Sequence, residues 1–445
     1  MARTAATLSE GVRLSDHISL GVLTASFPLE IVNDILERTG RASQRERELP
    51  AHVMVYYAIA LALYADVSTR ETLRCLLEGA RWLGDPTVED EPTSRSGISR
   101  ARARLGARPL EALYREVVVP VAVEGTPGAW YRGWRVMSLD GSTLDVSDTQ
   151  KNERAFGRPA SSRGANATGA FPQLRLVGLL ENGTHVITGA ELGAYGTSEN
   201  ELAASVLPRL TDEMVCLADR GFLGFDLWRL ANHTTRAALV WRAASSFKLP
   251  VLERLADGSY RSELRWNYFC KSTDRSPIPV RVVEYKLLGV AQAQPSYRLV
   301  TNILEPERAP AEELGVLYHE RWEMETAFDE FKTHLRGSNR VLRSKTPELV
   351  RQEAWGYLLA HFAIRALMHE AALGAVPRAR DPDTLSFTHA LRVARRTLPH
   401  VAAIPPSGPS AVGTGTVTHS EGSPRRTRQL QSRTKRAPRR QAEDE

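Results

Sequence analysis

Tyr318, Arg321, Glu325 and Lys332 bring an aromatic hydroxyl, two cations and a carboxylate into one short stretch of a 445-residue chain. The stretch, Ala311–Gly337, has the composition of a single long helix. It holds no proline, has glycine only near its start and at its end, and is rich in Glu, Leu, Met, Ala and Lys. At about 100° per residue the four side chains fall at about 0°, 300°, 340° and 320°, on one stripe. Leu317, Met324, Phe328, Phe331 and Leu335 fall at roughly 220–280°, an adjacent apolar stripe that can bury. A carboxylate flanked by cations at the edge of a buried face suits metal chemistry on a phosphate. The same stripe is also what a surface helix with solvated ion pairs shows.

Two aspartates supply what the helix lacks. Asp140 ends an apolar run beside Gly141, in LDGSTLDV, and Asp219 ends another, in ADRGF. Two strand ends that each present an Asp can lie side by side at a sheet edge, where ligands of open α/β folds collect. A third carboxylate from a helix over that edge completes an all-oxygen cage of the kind Mg²⁺ or Mn²⁺ prefers. Two such ions about 4 Å apart can activate a water or a 3′-hydroxyl for phosphodiester displacement, with no histidine base. Asp145 and Asp148 compete with Asp140, and Asp329, at about 20° on the stripe, competes with Glu325. Spacing alone leaves both choices open.

The elements that must position these residues change character along the chain. Residues 14–123 read as an all-helical domain. In it, Leu14–Leu23 and a segment from after Pro28 to Thr39 form helices, another runs from Pro50 to Tyr64, and Ser68 with Glu71 makes a capping box. Ser94–Gly106 reads as a short basic helix whose Arg95, Arg100, Arg102 and Arg104 could touch phosphates. From Trp134 strands and helices alternate, so residues 130–372 read as an α/β domain with a mixed sheet. Residues 237–303 are strand-rich and read as a β insertion. Gln352–Leu373 reads as a buried helix. From about Pro405 to Glu445 the chain turns to Pro, Gly, Ser, Thr and Arg and is expected to be disordered.

Composition excludes several classes. Hydrophobic (42%) and charged (25%) shares are those of an ordinary soluble protein. The longest apolar run, Val53–Ala65, is too short to cross a bilayer. Cys75, Cys216 and Cys270 lie far apart, which fits a reducing cytosol and offers no cysteine zinc site. The first residues lack a signal pattern, so a cytoplasmic, nucleoid-associated protein is expected. Net charge is +6, and the last 24 residues supply most of it, with eight Lys/Arg against three acids. That tail could bind DNA backbone nonspecifically or be an incidental solvated extension.

Tyr318-x2-Arg321-x3-Glu325-x6-Lys332 reproduces the Y-(2)-R-(3)-E-(6)-K motif, and with it the chain resembles DDE transposases of the insertion-sequence type 4 family. LDGSTLDV and ADRGF are similar to that family's two aspartate regions, and the leading helical region is similar to its N-terminal domain. The resemblance covers roughly residues 14–370. It implies a ribonuclease-H-like core interrupted by a β-strand-rich insertion and preceded by the all-α domain. Asp140, Asp219 and Glu325 would be the catalytic, metal-binding triad, holding two Mg²⁺ or Mn²⁺ ions. Tyr318, Arg321 and Lys332 would hold phosphates of the transposon end. In relatives the insertion supplies a Trp that stacks on a flipped base, and Trp266 is the candidate, with Trp241 its rival. The implied activity is cut-and-paste transposition of an insertion sequence: hydrolysis and strand transfer at terminal inverted repeats by a homodimer on double-stranded DNA. A metal-dependent nuclease without strand transfer and an inactive transposase-derived DNA-binding protein are the alternatives.

Overall fold

A computed structural model describes residues 20–45, 49–65, 67–82, 94–159, 170–286, 296–337, 340–375 and 380–396. The basic tail and the first residues of the expected opening helix lie outside these. Six helices come first: α1 (Leu20–Ser26), α2 (Leu29–Arg38), α3 (Ala51–Leu63), α4 (Thr69–Trp82), α5 (Arg95–Leu105) and α6 (Arg108–Val117). Pro50 caps the start of α3, and every residue from Met54 to Leu63 is buried, as the all-round apolar run demands.

The strands that follow build one mixed sheet. They are β1 (Trp130–Tyr131), β2 (Trp134–Asp145), β3 (Gln173–Glu181), β4 (Val186–Ala194), β5 (Met214–Ala218), β6 (Ala238–Arg242), β7 (Glu253–Arg254), β8 (Tyr260–Leu264), β9 (Ile278–Tyr285) and β10 (Tyr297–Thr301). Their order is β4-β3-β2-β5-β6-β10-β9-β8-β7, with β1 beside β2. The first five form the ribonuclease-H arrangement. β2, β3 and β4 run antiparallel, β3 and β4 joined at the Asn182-Gly183 turn, and β5 and β6 run parallel to β2. β6 lies inside the range 237–303 expected for the insertion, yet it is the last core strand. β10 pairs antiparallel to it, so the inserted strands widen the same sheet.

Alternation along the strands feeds both faces. Met137, Leu139, Cys216, Ala218, Leu239 and Trp241 pack on one side, against α8 (Glu199–Val206) and α9 (Phe225–Thr234). Val136, Val215, Leu217 and Val240 pack on the other, against α10 (Ala311–His319). Trp241 is fully buried, edge-on to Trp228. That position removes it as a base-stacking candidate.

The expected single helix over Ala311–Gly337 is segmented. α10 is followed by α11 (Trp322–Asp329) and then a π-helical turn, Glu330–Leu335. At the first joint the amides of Arg321, Glu323 and Met324 bond three residues back, and the Asn182 side chain adds a second donor to the Glu320 carbonyl at 2.7 Å. A side chain inserted into the helical ladder is a recognised cause of such a break, and nothing within the helical stretch itself signals it.

The leading helices share one apolar core with α12 (Pro347–Leu373), α13 (Phe387–Arg396) and the outer strands. α12 runs through the middle of this core. No helix among the described residues is long and apolar enough to cross a membrane. α3 and α12 meet so closely that a Cβ on Gly356 would lie 2.5 Å from the Ala58 carbonyl oxygen. Gly356→Ala gains about 1 kcal/mol of helix propensity, but overpacking against backbone costs about 1–3 kcal/mol. A net loss of up to about 2 kcal/mol is expected, and chemical denaturation checks it. A raised midpoint would mean that the two helices separate freely.

Candidate active site

The register of β2 on β5 brings the two aspartates together. Leu139 is the partner of Ala218, the last parallel pair, so Asp140 and Asp219 are the next residues on adjacent strands. Strands in a sheet lie about 4.8 Å apart, which sets the scale of their separation. Each aspartate accepts from a nearby amide: Asp140 Oδ1 from Gly141 at 2.8 Å, and Asp219 Oδ1 from Gly221 at 2.7 Å, in the turn after β5. The expectation that both aspartates end a strand holds for Asp219 and is corrected for Asp140, which lies within β2 because its pairing with β3 continues to Asp145.

α10, α11 and the π turn lie over this edge. The Tyr318 hydroxyl, buried, donates to the Ala218 carbonyl at 3.3 Å, immediately before Asp219. Burial pushes that hydroxyl's pKa up, so it stays a donor. Arg321 reaches Asp140 Oδ2 at 3.2 Å with one nitrogen and Glu325 Oε1 at 3.3 Å with another. The Lys332 ammonium donates to the Ser142 hydroxyl at 2.8 Å. Ser142 lies two residues beyond Asp140, on the same face of β2. Burial, with Arg336 adding to it, pulls Lys332 below its ordinary pKa.

The rivals sit elsewhere. Asp145 accepts from the Gln173 side chain, Asp148 pairs with Arg158, and Asp329 pairs with His334 at 3.5 Å on the surface. Glu325 alone of the helix pair shares a cation with Asp140. Sequence reasoning missed Glu199, the first residue of α8. It pairs with Arg175 at 2.9 Å and packs on Gly141, where a Cβ would lie 2.6 Å from its carboxyl carbon. Its only signal was the N-cap Ser198 before an acidic first turn, which marks a helix start and says nothing of position.

The donor set fits hard divalent cations. Asp140 and Glu325 share one guanidinium, and Asp219 lies near enough to Asp140 to raise its pKa, so the group carries a net deficit of positive charge. Burial raises the Asp140 carboxyl to about 6; Gly141 and Arg321 oppose the rise, while Asp219 and Glu199 add to it. A carboxylate uncomfortable in its charged form gains from a cation, and oxygen-only ligands select Mg²⁺- or Mn²⁺-like ions.

The other expected contacts divide. Arg100 and Arg104 are exposed on α5. Arg102 is buried and directed inward: it donates to Gln352 Oε1 at 2.8 Å and to the Ser344 hydroxyl at 3.0 Å, while Gln352 returns a bond to the Arg102 carbonyl. The expectation that it touches DNA is corrected, since its guanidinium fastens α5 to α12. Trp266 is half-buried, its indole N–H bonded to the Ser272 carbonyl and its ring covered by Arg275 at 4.2 Å. Beside it in sequence, Tyr268 and Phe269 stand exposed with ring centroids 3.9 Å apart.

Similarity to known proteins agrees with this geometry. The family described as insertion element 4 transposase N-terminal matches residues 17–115, and the transposase DDE domain matches residues 132–363. Transposase InsG for insertion sequence element IS4, from Escherichia coli K12, is 28% identical over 375 residues, covering 83% of this chain and 80% of that protein. Putative transposase InsZ of the same strain is 26% identical over 230 residues, 51% of this chain and 73% of that one. A piggyBac transposase synaptic complex with hairpin DNA shares 12% identity at a TM-score of 0.44, covering 85% of this chain and 80% of that one. With the DDE domain spanning more than half of its length, this chain belongs to the DDE transposases, in the insertion element 4 group.

Proposed function

We propose that this insertion-sequence transposase cuts the ends of its own element and joins the freed 3′-hydroxyls to target DNA, using Asp140, Asp219 and Glu325 as its metal-binding triad. The observation that carries the assignment is the Arg321 bridge, one guanidinium held between Asp140 and Glu325 above the point where β2 and β5 stop pairing. When bound there, a pair of Mg²⁺ or Mn²⁺ ions would acidify the attacking hydroxyl and neutralise charge on the leaving oxygen.

The chain's own residues do the rest. Tyr318 locks the end of β5, and so the Asp219 backbone, through its hydrogen bond to Ala218. Arg321 keeps two carboxylates apart and oriented, and its remaining N–H groups can take a phosphate oxygen. Lys332, presented through Ser142, offers a second cation on the Asp140 side. Arg100 and Arg104 on the exposed face of α5 are the helical region's candidate backbone contacts. In the insertion, Trp266 with the exposed Tyr268 and Phe269 offers ring surface for an unpaired base. Both ends must be held together, so the working form is an oligomer, taken as a dimer on DNA. Its place of action is the bacterial nucleoid.

Three outcomes test this. Asp140→Asn, Asp219→Asn and Glu325→Gln each reduce Mg²⁺-dependent end cleavage by at least about 1,000-fold, about 4 kcal/mol of barrier, while end binding survives. Cleavage at full rate by all three would remove the triad, and a joining assay with pre-cleaved ends and supercoiled target tests strand transfer. Lys332→Ala weakens end binding and lowers the salt slope by about one phosphate contact; an unchanged slope contradicts its phosphate role. The third concerns pH. Asp140 has a folded pKa of about 6 against an ordinary 3.8. Its contribution to stability is therefore complete below about pH 4 and is lost as pH rises through about 6. Chelator-treated Asp140→Asn should be more stable than the parent at about pH 8, by about 3 kcal/mol at most. Near pH 4 the difference should vanish. Denaturant titrations at the two pH values read this directly.

A further inference from the structure

Two residues before Glu325, α11 sends a second carboxylate the other way. Glu323 points at the β3–β4 turn, where its Oε2 accepts from the Gly183 amide. His185, on the same turn, lies against it, its Nε2 3.8 Å from Glu323 Oε2 and 3.2 Å from Asp383 Oδ1. Asp383 comes from a short 3-10 turn, Pro382–Thr384, between α12 and α13. The ligand-capable atoms of these three residues lie within 4.8 Å of one another.

We propose that His185, Glu323 and Asp383 form a second metal site, separate from the catalytic triad, for a divalent transition-metal cation of the Zn²⁺ type. Three observations support it. His185 is 3% exposed, and its Nε2 makes no hydrogen bond among the described residues although it is aimed between two carboxylates. A buried ring nitrogen without a partner is costly, and a metal removes that cost. The spacing also suits coordination. Metal–ligand bonds of about 2.1 Å at tetrahedral angles put neighbouring ligand atoms about 3.4 Å apart, between the two separations observed.

Charge gives the third. On the far side of His185, Nδ1 faces Glu330 Oε1 at 3.7 Å and contacts Arg365, which itself bonds Glu330 at 2.8 and 2.5 Å. Arg365 is thus engaged with Glu330, while Glu323 and Asp383 share only a histidine. With Nε2 on the cation, the other ring nitrogen stays against Arg365 and Glu330, which hold the ring's orientation from behind. Asp383, whose side chain is 35% exposed, gives the ion its way in and leaves a position for water. Imidazole with two carboxylates is a mixed set that suits Zn²⁺ better than the all-oxygen triad does. Such an ion would tie α11 to the β3–β4 turn and to the connection before α13.

The test uses the full chain with its triad neutralised (Asp140→Asn, Asp219→Asn, Glu325→Gln), so that the catalytic site contributes no metal binding. Stripped protein is titrated with Zn²⁺ against a competing chelator, and the bound metal is counted. One tight equivalent is expected, together with a rise of several degrees in the thermal midpoint on loading. Adding Asp383→Asn, a change at a partly exposed position that should fold normally, is expected to weaken that equivalent by at least about 10-fold and to abolish the thermal shift; His185→Gln should do the same. Mg²⁺ at equal concentration should produce neither. No tight equivalent in the stripped protein, or one unaffected by both substitutions, would overturn the proposal.

Discussion

Parallel pairing of β2 with β5 ends at Leu139 and Ala218, and everything chemical about this protein depends on that stop. One residue further stand two aspartates, Asp140 within β2 and Asp219 just past β5, and the sheet has concentrated negative charge where the β2–β5 ladder stops. A fold that does this must supply either protons or cations. The protein uses three means at once. Two glycine amides face the aspartates, burial raises the Asp140 pKa to about 6, and Arg321 enters from above to contact Asp140 and Glu325 together. None of these satisfies all three carboxylates. The residual deficit makes the site receptive to divalent ions without any dedicated soft ligand.

The helix above the site reaches this geometry by being irregular. A uniform helix would carry its stripe at one fixed pitch. Here the joint at Glu320–Arg321 is tightened to three-residue bonds, and the turn from Glu330 to Leu335 is widened to a five-residue one. Tightening advances the phase and widening retards it, so the two departures partly offset each other along the segment. Tyr318, Arg321 and Lys332 consequently all reach β2 or the end of β5. The regular-helix arithmetic identifies the right stripe although the helix it assumes does not exist.

How much of this is legible in the sequence divides along a physical line. Features encoded by local pattern are readable: the buried α3, the strands carrying Asp140 and Asp219, the apolar stripe of Met324, Phe328 and Phe331. Features decided by a partner distant in the chain are not. Arg102 looks like an exposed cation on a basic helix until Gln352, 250 positions away, captures it. The break at Glu320 requires Asn182, and Glu199 reaches Gly141 only because α8 folds back over β2. Trp241 reads as an insertion residue because its strand follows a helix and precedes other strands. Only its parallel pairing with β5 reveals it as core. The choice of Glu325 over Asp329 likewise needs Arg321's second contact, which periodicity cannot supply.

α11 therefore has two constraints to meet, and its residues divide them by direction. Met324, Ala327 and Phe328 bury against the sheet. Glu325 turns to Arg321, and Glu323 turns to the β3–β4 turn. The approach is close enough that a Cβ on Gly178, the β3 partner of Asp140, would stand 3.0 Å from the Met324 terminal methyl. Met324 has rotamer freedom and its methyl could yield without moving the backbone, but Ile187 Cγ2 at 3.2 Å and Phe328 Cζ at 3.6 Å close the same space. The glycine opposite Asp140 thus lets α11 lie close against β3, and with it the backbone that carries Glu325.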